Sequence, residues 1–239
     1  MNAQTAISST ENGENGSLVK EHLARGIKEA IIAGRLSPGE RVIEAVWARE
    51  FGVAQASVRE AINLLITEGF LVKSAGRSAR VTRYTQEDVE SIYQVRGTLE
   101  GLAAQLACAT KADLTPLEAA LDQMEAAAAS GSIKELIEAD LTFHLALAAA
   151  SGNAPLIEIL GRLLRPLFAF VLLRTMETHE TAAGWGPSFA RHREIINIIR
   201  EDNPVLAGQF VQHLVGRFVA SAQAVWWPEA RPKRKRKSS

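Results

Sequence analysis

Ala54-Gln55-Ala56-Ser57-Val58-Arg59-Glu60-Ala61-Ile62-Asn63-Leu64-Leu65-Ile66-Thr67-Glu68-Gly69-Phe70-Leu71-Val72 changes its hydrophobic period partway along. Up to Glu68 the apolar positions Val58, Ala61, Ile62 and Leu65 share one helical face, and Gly69 stops the helix. Phe70-Leu71-Val72 then reads as a strand. With Ala79-Arg80-Val81-Thr82, across the Gly-containing turn Ser74–Ser78, it predicts a β-hairpin. Upstream, Leu23, Ile27, Ala30 and Ile31 give a helix from Leu18 to about Ala33, ended by Gly34. Leu36-Ser37-Pro38-Gly39-Glu40 is a turn, and Glu44–Phe51 is a short helix ended by Gly52. Three helices followed by a hairpin predict a winged helix-turn-helix.

Beyond Thr85 there is no strand signal. Helical segments are predicted at about 85–110, 113–129, 133–151, 154–179, 187–201 and 204–226, with Thr85 and Asp88 forming a capping box at the first start. Six helices with short connections predict an antiparallel bundle. The expected fold class is mainly α: a winged helix-turn-helix over 18–83, then an all-helical six-helix domain over 84–228. The polar stretch 1–17 is expected to be a disordered arm, and 229–239 a basic disordered tail.

Charge separates along the chain although the formal net charge is zero. Residues 18–83 carry eleven Lys/Arg against seven Asp/Glu, whereas 84–230 carry ten against eighteen. The end, Arg231–Ser239, adds six basic residues. A basic head on an acidic body suits nucleic-acid contact by the head. The longest apolar run, Leu167–Leu173, is far short of the roughly 20 residues of a membrane span. The single cysteine, Cys108, excludes an intramolecular disulfide and a Cys-rich zinc ribbon. A cytoplasmic protein with no membrane partner is expected.

The runs Ile31-Ile32-Ala33-Gly34-Arg35-Leu36-Ser37-Pro38-Gly39-Glu40-Arg41, Phe51-Gly52-Val53, Ser57-Val58-Arg59-Glu60-Ala61 and Glu68-Gly69-Phe70-Leu71 occur in that order. With Tyr93-Gln94-Val95-Arg96 and Leu99-Glu100, they resemble the GntR family of regulators in its FadR-like branch, over roughly residues 18–227. The resemblance implies a homodimeric, non-enzymatic regulator, commonly a repressor. Its partners would be double-stranded operator DNA and a small metabolite, often an organic acid, bound in the helical domain.

The start of a recognition helix enters the major groove. Gln55, Ala56, Ser57 and Arg59 are therefore the candidate DNA contacts, with Gln55 and Arg59 four apart on one face. Ser57 is read either as a phosphate contact or as a helix cap. Gln55 stands where the resemblance places a base-reading arginine. Glutamine suits adenine and arginine suits guanine, so an altered operator base is expected there. Arg77 and Arg80 in the wing are candidate backbone or minor-groove contacts, and Arg35, just past the first helix, and Arg49, on the second, are candidate phosphate contacts. The tail Lys233–Lys237 is read as a non-specific DNA contact or as a solvated end.

In the helical domain, Asp140 and His144 lie one turn apart on a largely apolar face, with His192 and His213 on later helices. Taken singly, the Asp140/His144 pair reads more readily as an i, i+4 hydrogen bond than as part of a metal site. The order of all four matches the metal-binding subgroup of the resembling family, which implies a divalent ion held by Asp140, His144, His192 and His213. One carboxylate and three imidazoles suit Zn²⁺ first, with Ni²⁺ and Mn²⁺ as alternatives, and leave positions open for a carboxylate effector. Arg96 is expected to clamp the effector's far end; the alternative is a surface ion pair with Glu100. Two other readings remain: a metal-dependent hydrolase fused to a DNA-binding head, and a regulator whose metal is purely structural.

Overall fold

A computed structural model describes residues 4–73, 78–178 and 186–226, with side chains described for 18–73, 78–176 and 188–217. Among these residues the protein is mainly helical, and the chain divides into two compact units, Met1–Arg83 and Tyr84–Ser239. Arg77 at the wing tip, Trp227 and the tail from 229 lie outside the described residues.

The first unit comprises α1 (Gln4–Ile32), α2 (Glu44–Phe51), α3 (Gln55–Thr67), β1 (Leu71–Val72) and β2 (Arg80–Val81). The α1 helix reaches back to Gln4, over the polar stretch expected to be a disordered arm. That stretch holds no proline, and its glycines each weaken a helix by only about 1 kcal/mol, so it can extend a helix nucleated further on. Leu23, Ile27, Ala30 and Ile31 of α1 are buried, as are Val58, Ala61, Ile62 and Leu65 of α3. Gly26 lets α1 lie on α2: a Cβ there would come within 2.6 Å of the Phe51 ring, which stacks on Trp47. The strands are antiparallel, Leu71 opposite Val81 and Val72 opposite Arg80. The expected turn before α2 does more than turn. Its exit, Gly39–Val42, hydrogen-bonds along the other edge of β2 (Val42 N–H to Ala79 O and Val81 N–H to Glu40 O, both 2.9 Å). Arg41 pairs with Arg80 in an isolated bridge, and the proline and glycine of the turn masked this strand-like segment in the sequence.

The second unit is α4 (Gln86–Thr110), α5 (Thr115–Ser130), α6 (Ile133–Ala150), α7 (Ala154–Thr178), α8 (Gly186–Arg200) and α9 (Pro204–Trp226). The capping box at Thr85 and Asp88 is formed, each residue receiving the other's backbone N–H. The segment Leu167–Leu173 of α7 is buried at every position, so this apolar run is a core helix. Among the described residues no helix is long and apolar enough to cross a membrane. The first and last helices, α4 and α9, pack against each other through glycine. A Cβ on Gly101 would stand 2.7 Å from the Gly208 carbonyl, and one on Gly97 3.2 Å from the Gln212 carbonyl. These contacts fix how α9 is turned about its axis.

A Gly101→Ala substitution is expected to lower stability by about 1–3 kcal/mol, because backbone must give way. Gly161→Ala, whose Cβ meets nothing within 4 Å, is expected to be neutral or to raise stability by up to ~1 kcal/mol. Denaturant unfolding of the two variants beside wild type checks both.

Candidate metal centre and nucleic-acid interface

Five ionisable side chains from three helices meet inside the second unit. Arg96 and Glu100 lie one turn apart on α4, Asp140 and His144 one turn apart on α6, and His192 on α8, all buried. Arg96 Nε donates to Glu100 Oε1 at 2.6 Å. The other carboxylate oxygen, Oε2, lies 2.8 Å from His144 Nδ1, an ion-pair distance off the line of a well-directed hydrogen bond. His144 Nε2 is 3.3 Å from Asp140 Oδ1, and His192 Nε2 is 3.0 Å from the same oxygen. His192 Nδ1 is 2.7 Å from the Ser188 carbonyl. Apolar and aromatic neighbours surround the cluster: Phe143 packs edge-on to His192, and the Arg96 guanidinium lies over the Tyr93 and Phe168 rings, 4.9 and 5.0 Å from their centres.

The electrostatics follow from this crowding. Burial alone would raise the pKa of Glu100, but the Arg96 and His144 charges outweigh it and hold the carboxyl at about 2. Burial is likewise overridden at Asp140, where hydrogen bonds from His144 and His192 keep the carboxyl well below the usual range. For His144, burial opposes the charged form, but the Glu100 carboxylate prevails and raises the pKa above its ordinary value. The Tyr93 hydroxyl is pushed up by burial.

One potential ligand atom from each of Asp140, His144 and His192 lies within 4.8 Å of the others. His213 does not join them. It is exposed on α9, while Ala207, Val211 and Val215 on the opposite face are buried and Leu214 and Val215 line the cavity beside the cluster. The glycine contacts with α4 set that rotation, which periodicity along α9 alone left open. The cavity measures about 50 Å³ and is walled by Arg96, Phe168, Val171, Arg191 and Ile195 as well. Arg96 thus pairs with Glu100, but in the core and beside the cavity, so the alternative reading of a surface ion pair is replaced by a buried pair. Glu100 was visible in the sequence only as that partner; its approach to His144 had no local signal. Glu194, the nearest acid in sequence to His192, is exposed and does not line the cavity.

In the first unit, α3 starts at Gln55 with Ala54 as its N-cap and no capping side chain, so Ser57 sits inside the helix and is not its cap. Gln55, Ala56 and Arg59 are exposed and Ser57 is half-buried. Unpaired N–H groups at an exposed helix start suit an anion such as a phosphate. Arg59 is held by Glu44 of α2, both its Nε and Nη2 donating to the carboxylate, the latter at 2.7 Å. Arg35 pairs with Glu50 at 3.1 Å, and Arg80 donates to the Gly39 carbonyl at 2.9 Å. Arg49 is exposed.

Comparison with known proteins agrees with both halves. Residues 19–81 match the model for bacterial regulatory proteins of the gntR family, and residues 91–217 match the FCD domain. The HTH-type transcriptional regulator YdhC of Bacillus subtilis (strain 168) is 31% identical over 188 residues, 77% of this chain and 82% of the relative. The HTH-type transcriptional regulator LutR of the same organism is 31% identical over 202 residues, 75% of this chain and 87% of the relative. The crystal structure of a GntR transcriptional regulator from Rhodococcus sp. RHA1 superposes with a TM-score of 0.65 at 25% identity. It covers 89% of this chain and 99% of that one.

The buried charges predict a two-sided pH dependence for the metal-stripped protein. Glu100 has a depressed pKa, so its stabilisation is present above its ordinary value of 4.5 and is lost as pH falls from there toward 2. His144 has a raised pKa, so its stabilisation is present below its ordinary 6.5 and is lost as pH rises through the raised value. The melting temperature of the helical domain should therefore peak between about pH 4.5 and 6.5. Thermal melts across pH 2–9 check this, and a melting temperature that climbs steadily above pH 7 would contradict it.

Proposed function

Because the chain belongs to the GntR family of bacterial regulatory proteins and is a transcriptional regulator with an FCD effector-binding domain, we propose that it is a cytoplasmic, homodimeric repressor whose operator affinity is set by a small carboxylate effector bound at a divalent-metal site. Asp140, His144 and His192 would hold the ion. The observation that carries this is the orientation of the two imidazoles. Each turns Nδ1 toward an outer oxygen, on Glu100 or Ser188, and each aims Nε2 at the same oxygen of Asp140. An oxygen behind each ring suits the tautomer in which Nε2 turns a lone pair inward, as metal-ligating histidines require.

One carboxylate and two imidazoles fit Zn²⁺, Ni²⁺ or Mn²⁺ and leave positions open. Bound there, the ion would supply positive charge for an anion entering the cavity. The Glu100 carboxylate lies behind the His144 ring, and Arg96, over the Tyr93 and Phe168 rings at the cavity wall, would contact the effector beside the ion. The aromatic and aliphatic wall excludes water, which strengthens each of these contacts. His213, being exposed, is outside the proposed ligand set.

In the head, Gln55 and Arg59 would read base edges, with Ala56 and Ser57 at the groove and the α3 start on a phosphate. Arg35, Arg49, Arg77 and Arg80 would contact the backbone. The Glu44 carboxylate presents the Arg59 guanidinium in one orientation. A purely structural ion is the competing reading; it predicts that removing the metal lowers stability while operator binding responds to no carboxylate.

Protein purified without a chelating tag is expected to carry near-stoichiometric divalent metal by elemental analysis, and the Asp140→Ala/His144→Ala variant none. Absence of metal in wild type after incubation with Zn²⁺, Ni²⁺ and Mn²⁺ would remove the site. On a duplex selected from random sequence, Arg59→Ala should weaken binding by about 1–3 kcal/mol and relax one base preference. Arg49→Ala should weaken all duplexes alike and reduce the salt slope by about 1.

A further inference from the structure

The α8 helix carries arginines at 191, 193 and 200, and they are treated differently. Arg193 donates to Glu125 and Arg200 to Glu118, both on α5, in exposed ion pairs. Arg191 precedes His192, is half-buried and lines the cavity. Among the described residues it has no acidic partner, hydrogen bond or ring contact. A guanidinium drawn partly out of water into a cavity wall loses hydration that nothing in the protein replaces. Such a group is suited to an anion from outside.

The charge in the cavity points the same way. Arg96 and Glu100 cancel through their direct contact. Asp140 contributes one negative charge and Arg191 one positive charge, so with neutral imidazoles the protein groups balance. A divalent ion would leave an excess of two positive charges. The remaining wall, Phe168, Val171, Ile195, Leu214 and Val215, is apolar and suits a short carbon chain. We propose that Arg191 is a second anion anchor and that the cavity takes a small aliphatic dianion, a dicarboxylate. One carboxylate lies at the Asp140/His144/His192 cluster and the other on Arg191. The cluster contact rests on the metal reading; the Arg191 contact stands on its own. Fork-like guanidinium recognition of a carboxylate also explains why a residue so close to the cluster is a cation, which would otherwise repel the bound metal.

The test is calorimetric titration of the zinc-loaded protein with succinate and with butyrate, which share a four-carbon chain and differ by one carboxylate. Wild type is expected to bind succinate at least about tenfold more tightly, the scale of one charge-assisted hydrogen bond. Arg191→Gln should erase that preference while leaving zinc content and butyrate affinity unchanged. Arg191→Lys should restore part of it, and Arg193→Gln, away from the cavity, should behave as wild type. Equal binding of the two acids by wild type, or a preference that survives Arg191→Gln, would overturn the proposal. Zinc content of the same samples separates the two readings. If wild type binds no zinc, the metal reading fails alone and the Arg191 comparison is made on the metal-free protein. Loss of discrimination there supports the anchor, and unchanged discrimination overturns it.

Discussion

The bundle is organised around a line of buried charge. Arg96, Glu100, His144, Asp140 and His192 form a continuous chain of contacts across α4, α6 and α8, every member buried. Stripping one partner from such a chain leaves an uncompensated buried charge, typically worth 3–5 kcal/mol of destabilisation. The three helices are thereby held to one relative rotation and height, since a slip of α6 would break both contacts between helices and a slip of α4 or α8 would break one. The same requirement makes the site specific. An apolar bundle would be as stable or more so, but its helices could repack in several ways.

That chain also accounts for the character of the cavity. Each imidazole has an oxygen behind it and a carboxylate in front of it, so neither ring is free to turn. Arg96 is gripped by Glu100 and lies over the Tyr93 and Phe168 rings. A ligand entering such a site meets groups already in place and spends little of its binding energy ordering them.

The proposed DNA-reading surface follows the opposite physical logic. Arg59 and Arg35 are held by Glu44 and Glu50 in ion pairs open to water. Pairs of this kind contribute about 0–1 kcal/mol, so a base edge or phosphate can take an arginine over with little loss. The α3 start is likewise left without a capping side chain. Stability in the head comes from the apolar seam of α1 against α3 and from the strand-like exit of the first turn on β2, which leaves the exposed face available for recognition. Exposed, exchangeable charge suits a surface that must release one partner to engage another; buried, interlocked charge suits a site that must discriminate.

Much of this was legible in the sequence because its signals are local. Gly52 and Gly69 end α2 and α3, the Thr85/Asp88 box starts α4, and the 3.6-residue period of Val58, Ala61, Ile62 and Leu65 marks the buried face of the recognition helix. The Asp140/His144 spacing placed two groups on one face of α6 before any neighbour was known. Gly39–Val42 as a strand-like edge was hidden, because its pairing with β2 lies far off in sequence. The orientation of α9 was hidden too. Its histidine fitted a ligand pattern, yet the close approach of Gly208 to Gly101 turns His213 outward and Val215 inward. By itself the sequence determined the elements, their order and the faces they bury, since propensity, caps and periodicity act within a few residues. Only the tertiary structure decided which side chains share a site, because rotation of one helix against another is set by contacts between segments that the sequence keeps apart.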